Sequence, residues 1–293
     1  MKKLLFFAVL IIVHVVCLAQ TSANAKLSLT KTIDLSTGVK LEYVEQGVEN
    51  ETPVIFLHGF PDSWHSFEMV LNFLPGQVHA IAISQRGHGN SSKPLSSYKI
   101  SDFAADLAAF IKKKNLRSVV VAGHSLGGLI AQQFALDYPL LVKGIIIISS
   151  EAALKDNPGF PELVSEINKL TDPVPYEFVS EFQHSTVVKT VNSENMDLFI
   201  DESLKVPSYV WKQVAHAFME VDYTNDLEKI KIPCLIVWGD KDEMCPKKDQ
   251  LILASLIKNS RIIIYENTGH GLHWEEPQKF ANDVLDFIKQ LPE

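Results

Sequence analysis

Gly123-His-Ser-Leu-Gly127, followed by Gly128, is the sharpest chemical signal in the chain. It lies between the apolar run Val119-Val-Val-Ala122 and a helical pattern beginning near Leu126. A serine on so tight a strand-to-helix turn has its hydroxyl thrust out above the sheet edge, and the glycines leave room for strained backbone and close packing. Such a hydroxyl is a poor nucleophile until a base takes its proton. Among ten histidines, His270 is best placed, directly after the run Ile262-Ile-Ile-Tyr265 and at the carboxyl edge where Ser125 also emerges. His273 is the weaker candidate. The imidazolium needs an orienting carboxylate. Asp240, Asp242 and Glu243 follow another strand-like run, and Glu151, past residues 144–148, is an alternative. His58-Gly-Phe-Pro61 ends a further strand, so the backbone N–H groups of Phe60 and Leu126 form the natural oxyanion-binding pair. Acyl transfer is the chemistry this set would perform.

Positioning these groups requires a parallel sheet. Short β-branched runs at residues 54–57, 78–83, 119–122, 144–148, 235–238 and 262–265 suit strands buried on both faces, and 41–45 reads as an early strand with one wet face. Between them, Phe103, Leu107, Phe110 and Ile111 recur at helical spacing, with Ser101 as the expected cap. Residues 126–138 and 277–291 read the same way, Pro277 standing in a first helical turn. Strand alternating with helix predicts an α/β domain with helices on both faces. Residues 151–230 break the rhythm. They are rich in aromatics, Trp211 and Phe218 among them, and contain no clear strand. A helical cap is expected at 151–216, inserted between core segments 26–150 and 217–293, with its aromatic face lining a pocket.

His58-Gly-Phe-Pro-Asp-Ser-Trp64, Arg86-Gly-His-Gly-Asn-Ser91, the serine turn, Trp238-Gly-Asp-Lys-Asp242 and Gly269-His270 together resemble the α/β-hydrolase superfamily, in its capped, epoxide-hydrolase-like and esterase-like branch. The likeness runs from about residue 40 to the end. It implies a mostly parallel, eight-stranded type of sheet, and it selects Asp242 as the acid, four residues before Pro246. Two positions depart from the pattern. Ser125 stands where epoxide hydrolases and haloalkane dehalogenases carry aspartate, which favours an acyl-enzyme over an alkyl-ester intermediate. Ser84 stands where the family often has Asp, and Arg86 is expected to serve loop structure. The resemblance leaves esters, lactones, other acyl bonds, carbon–carbon hydrolysis and perhydrolysis open, as well as a small-molecule receptor using the same pocket.

The formal net charge of −8 disfavours nucleic acid and polybasic membrane contact, leaving a small-molecule substrate as the expected partner. Oligomeric state is not legible. Lys2 and Lys3, an apolar run to Leu18 and a small-residue stretch ending at Ala25 read as a secretory signal peptide. Cleavage is expected after Ala19 or Ala25, giving a secreted or periplasmic protein, with an uncleaved membrane anchor as the alternative. Cys234 and Cys245 flank a predicted strand and are expected to stay unpaired, because the strand's length exceeds the reach of a disulfide. No His, Cys and acid cluster shows metal-ligand spacing along the sequence, and neither metal nor cofactor is expected.

Overall fold

The computed structural model describes residues 29–49, 51–154, 157 and 159–292. The expected leader, residues 1–25, lies outside them. Among the described residues eight strands form one sheet: β1 (Lys31–Asp34), β2 (Lys40–Gln46), β3 (Val54–Leu57), β4 (Ala80–Ser84), β5 (Val119–His124), β6 (Val142–Ile148), β7 (Cys234–Gly239) and β8 (Ser260–Tyr265). Their order is β1-β2-β4-β3-β5-β6-β7-β8. β2 pairs antiparallel with β1 and β4, and all later pairings are parallel.

Strict alternation of side chains explains the layering. Ile55, Leu57, Val121, Ile145 and Ile147 join the larger core cluster on one face. Val54, Phe56, Val120, Ala122, Ile146 and Ile148 join a second cluster on the other. Four of the helices cover these faces: α1 (Glu68–Phe73), α2 (Ile100–Lys113), α3 (Leu126–Asp137) and, from the end of the chain, Pro277–Lys289. Phe103, Leu107 and Phe110 of α2 and Ile130 and Phe134 of α3 fill the first core, whereas Val70 of α1 and Phe280 and Val284 of the last helix fill the second. Apolar residues on both faces therefore have a cover, as the near-continuous runs predict.

Three expectations need adjustment. Ser101 does not cap α2, which begins one residue earlier; the Asp102 carboxylate accepts the Lys99 N–H at 2.9 Å and does that work from inside the first turn. β8 lies at the sheet edge, so its isoleucines are only partly covered and Ile264 is 43% exposed. The third concerns the segment between β6 and β7, which carries α4 (Phe160–Lys169), α5 (Tyr176–Ser185), α6 (Ser193–Leu204) and α7 (Ser208–Glu220). The boundary expected at 216 falls inside α7, because Ala217 and Phe218 are buried and continue the inward face for another turn. The bridge between Ala153 and Asp222, with the Tyr223 N–H donated to the Ala152 carbonyl at 2.8 Å, draws the two ends of this insertion together. The remaining helices are α8 (Lys247–Leu256), α9 (Leu272–Glu275) and the already described α10 (Pro277–Lys289). No helix among the described residues is long and apolar enough to cross a membrane.

Candidate active site

From Val119 to Gln132 every residue is buried except Ser125. Its backbone sits at φ 50° and ψ −111°, a conformation costing an L-residue about 1–3 kcal/mol. The structure holds it there through the Ser125 N–H, donated to the Ile148 carbonyl at 2.9 Å, and the Ser150 hydroxyl, donated to the Ser125 carbonyl at 2.9 Å. The flanking glycines are needed for space: a Cβ on Gly123 would lie 2.0 Å from the Gly127 carbonyl oxygen, and one on Gly127 would lie 2.1 Å from that of Leu57.

The loop after β8 delivers His270, and the loop after β7 delivers Asp242. His270 Nδ1 lies 3.1 and 3.0 Å from the two carboxylate oxygens of Asp242. Asp242 Oδ1 also accepts the backbone N–H groups of Met244 at 3.0 Å and Cys245 at 2.9 Å. This pairing separates Asp242 from Asp240, Glu243 and Glu151, none of which hydrogen-bonds the imidazole. Burial alone would push the His270 pKa down, but the charge and hydrogen bond of Asp242, with contributions from Asp62 and Glu151, outweigh it and hold the group above the ordinary histidine value. His273 is fully buried, its Nε2 3.0 Å from the Ser66 hydroxyl and its ring stacked on Phe67. It has a packing role and does not line the cavity.

Ser125, His270, Phe60 and Leu126 all line one cavity of about 300 Å³. Among the described residues no backbone carbonyl outside the helices and strands accepts the Phe60 N–H, and Leu126 is the first residue of α3, where the helix offers its N–H no internal acceptor. The Phe60 loop is braced from below. His58 donates through Nδ1 to the Gly59 carbonyl at 2.7 Å and accepts the Gln85 N–H at Nε2, 3.0 Å away. Phe60 itself packs edge-on against Trp211 of α7, with ring centroids 4.6 Å apart. The rest of the wall is apolar and comes largely from the insertion: Leu163 and Ile167 from α4, Phe182 from α5 and Phe218 from α7. Trp211 is fully buried at the centre of a ring cluster with Phe60, Phe178 and Phe182.

Three acids also line this cavity: Glu243, Glu151 and Asp62. Burial pushes the Glu151 carboxyl up to about 7, against the opposing Asn157 amide, which donates at 2.8 Å. Burial likewise pushes Asp62 up to about 7, although it accepts from Gln183 at 2.8 Å and Ser66 at 3.2 Å. Asp62 was not singled out by sequence reading; its only signal was its place immediately after the His-Gly-Phe-Pro turn. Arg86 lies away from the cavity, in a buried bidentate pair with Asp106 at 2.6 and 2.7 Å, and serves loop structure as expected. Ser84 donates to Glu42 at 2.9 Å and accepts the Trp64 N–H at 3.2 Å.

Folding brings together one group of ligand-type atoms that the sequence spacing did not suggest: Asp242, Cys245 and His270 lie within 4.8 Å of one another. In this arrangement the three groups already have partners within the protein, His270 Nδ1 lying 3.0 Å from Asp242. Burial and the neighbouring carboxylates push the Cys245 thiol well above its usual value, and the thiol donates to the Ser149 carbonyl at 3.3 Å. A thiolate would be needed as ligand. Cys234 and Cys245 are both buried and unpaired.

The sequence profile of the alpha/beta hydrolase fold family matches residues 52–277. A non-heme chloroperoxidase of Streptomyces lividans is 27% identical over 284 residues, covering 88% of this chain and 99% of the relative. A bifunctional esterase/perhydrolase DCH of Acinetobacter calcoaceticus is 27% identical over 283 residues, with coverage of 86% and 97%. Among solved structures, an esterase from Exiguobacterium antarcticum superposes with a TM-score of 0.81 at 25% identity, covering 89% of this chain and 99% of its own. The chain is an enzyme of the hydrolase class and belongs to the alpha/beta hydrolase fold family.

Proposed function

We propose that the protein is a serine hydrolase of small, largely apolar esters, with Ser125 as nucleophile, His270 as base and Asp242 as orienting acid. The observation that carries this reading is the commitment of His270 Nδ1 to Asp242, which leaves Nε2 as the basic nitrogen in a cavity that Ser125 also lines. The Ser125 oxygen attacks the ester carbonyl carbon while its proton passes to His270. The N–H groups of Phe60 and Leu126 donate to the oxyanion. The bond to the alcohol oxygen then breaks, and His270 returns its proton to that leaving oxygen. Water, deprotonated by the same imidazole, attacks the acyl carbon and releases the acid with Ser125 restored. Helices α4, α5 and α7 serve as the cap whose apolar wall holds the acyl or alkyl group, and a cavity of about 300 Å³ favours short chains.

Ser125→Ala tests the assignment. Hydrolysis of p-nitrophenyl acetate and butyrate should fall to background; turnover near the wild-type rate contradicts it. The relatives described as chloroperoxidase and esterase/perhydrolase favour a second outcome on the same intermediate. Hydrogen peroxide replacing water at the acyl carbon would release a peracid, and a peracid assay with acetate ester and peroxide reads it. Export through the leader at 1–25 remains part of the proposal. N-terminal sequencing of the mature chain should begin at Gln20 or Lys26.

A further inference from the structure

On the reading of His270 as the base, the structure assigns Glu275 as its positioning residue and the α5–α6 connection as the other half of the mount. Glu275 Oε1 accepts two backbone N–H groups at once, from Gly269 at 2.9 Å and from Val188 at 3.0 Å. Oε2 accepts a third, from Lys189 at 3.0 Å. One carboxylate thus ties the residue immediately before His270 to the loop between α5 and α6. On the other side of His270, the Gly271 N–H donates to the Thr186 carbonyl at 2.8 Å. The Lys189 ammonium adds contacts to the Thr268 hydroxyl at 3.0 Å and to Glu276.

The histidine is therefore bracketed on both flanks, through Glu275 to Val188 and Lys189 on the Gly269 side and directly to Thr186 on the Gly271 side. Space is as tight as the bonding. A Cβ on Gly269 would lie 2.9 Å from both Glu275 Oε1 and the Thr186 carbonyl oxygen, so the loops meet backbone to backbone. A carboxylate accepting several N–H groups from two separate loops fixes their relative position more firmly than apolar contact, because each bond has a preferred direction. Acid–base catalysis depends on such placement, and a shift of about 1 Å can cost about a hundredfold in rate. Glu275 acts through His270 and does not line the cavity.

The test compares Glu275→Ala and Glu275→Gln with wild type. The glutamine keeps one acceptor oxygen for Gly269 and Val188 but turns an amide donor toward the Lys189 N–H. For p-nitrophenyl butyrate we expect kcat to fall about tenfold to a hundredfold in the alanine variant and less in the glutamine variant, with KM nearly unchanged. Loosening the His270–Asp242 contact should also move the acid limb of the kcat profile to lower pH, since that contact holds the imidazole pKa up. Mere loss of folded protein lowers the plateau without moving the limb. Proton NMR of the downfield His270 Nδ1–H signal reads the same mount without any substrate. If wild type proves inactive on esters, loss or shift of that signal in Glu275→Gln still supports the mount. An unchanged signal and unchanged acid limb in a folded Glu275 variant would overturn it; if the alanine variant fails to fold, the glutamine variant decides.

Discussion

The sheet edge and the inserted helices meet at one cavity but are built from different physics. The sheet side is rigid backbone: Ser125 stands on a turn in which the carbonyls of Gly127 and Leu57 would lie about 2 Å from any added Cβ. The inserted side is a wall of aromatic and aliphatic side chains, Phe182, Phe218 and Leu163 among them, gathered around Trp211. Backbone geometry suits groups that must be placed to within fractions of an ångström, and side-chain walls suit shape and size selection. The division is not complete, because the insertion also grips the Phe60 ring and the His270 loop.

Substitutions on the two sides should therefore fail in different ways. On the sheet side, Asp242→Asn removes the charge that orients His270, and kcat should fall about 10⁴-fold with little change in KM. A loss below tenfold, in steady-state assays, would mean that another carboxyl takes over the orienting role. On the inserted side, Phe218→Ala should leave kcat for acetate esters within a few-fold. It should shift preference toward longer acyl chains by about tenfold in kcat/KM, since pocket space for a methylene or two is worth that much. A chain-length profile identical to wild type would remove α7 from the acyl wall.

The smallest effect concerns stability where the two sides meet at Asp62, which accepts from Gln183 of α5. Its carboxyl is pushed from 3.8 to about 7 by burial. A folded-state pKa above the unfolded value means that the native state holds a proton the unfolded chain releases. Stability from this group is thus fully present below about pH 4 and is lost as pH rises through about 7. Asp62→Asn removes that slope. The melting temperature of the variant relative to wild type should climb between pH 5 and pH 8, by about 2 °C or more. A constant difference across that range would contradict the sign.

How much of this was legible in the sequence follows the same division. The alternation that sends Ile55 and Leu57 to one core and Val54 and Phe56 to the other leaves no doubt about the buried strands. Ser125 was legible because its turn demands glycines at fixed offsets. Spacing alone left Asp240, Asp242 and Glu243 open, and family likeness chose among them; in the structure Asp242 is the one that reaches His270. β1 was missed because Lys31-Thr-Ile-Asp34 carries a single apolar residue and is mostly exposed. Asp62 and Glu275 were missed for a deeper reason. Their partners, Gln183 and Val188, lie 121 and 87 residues away, and no local pattern encodes a contact of that kind. The leader expected at 1–25 lies outside the described residues.

The covalent step is the claim on which the rest depends, and intercepting it is the most direct measurement. Purified protein treated with a fluorophosphonate and digested should give, by mass spectrometry, a single modified peptide carrying the adduct on Ser125. Ser125→Ala should take up no label, and Asp242→Asn should label far more slowly than wild type. An adduct on another residue, or undiminished labelling of Ser125→Ala, would contradict the assignment of the nucleophile.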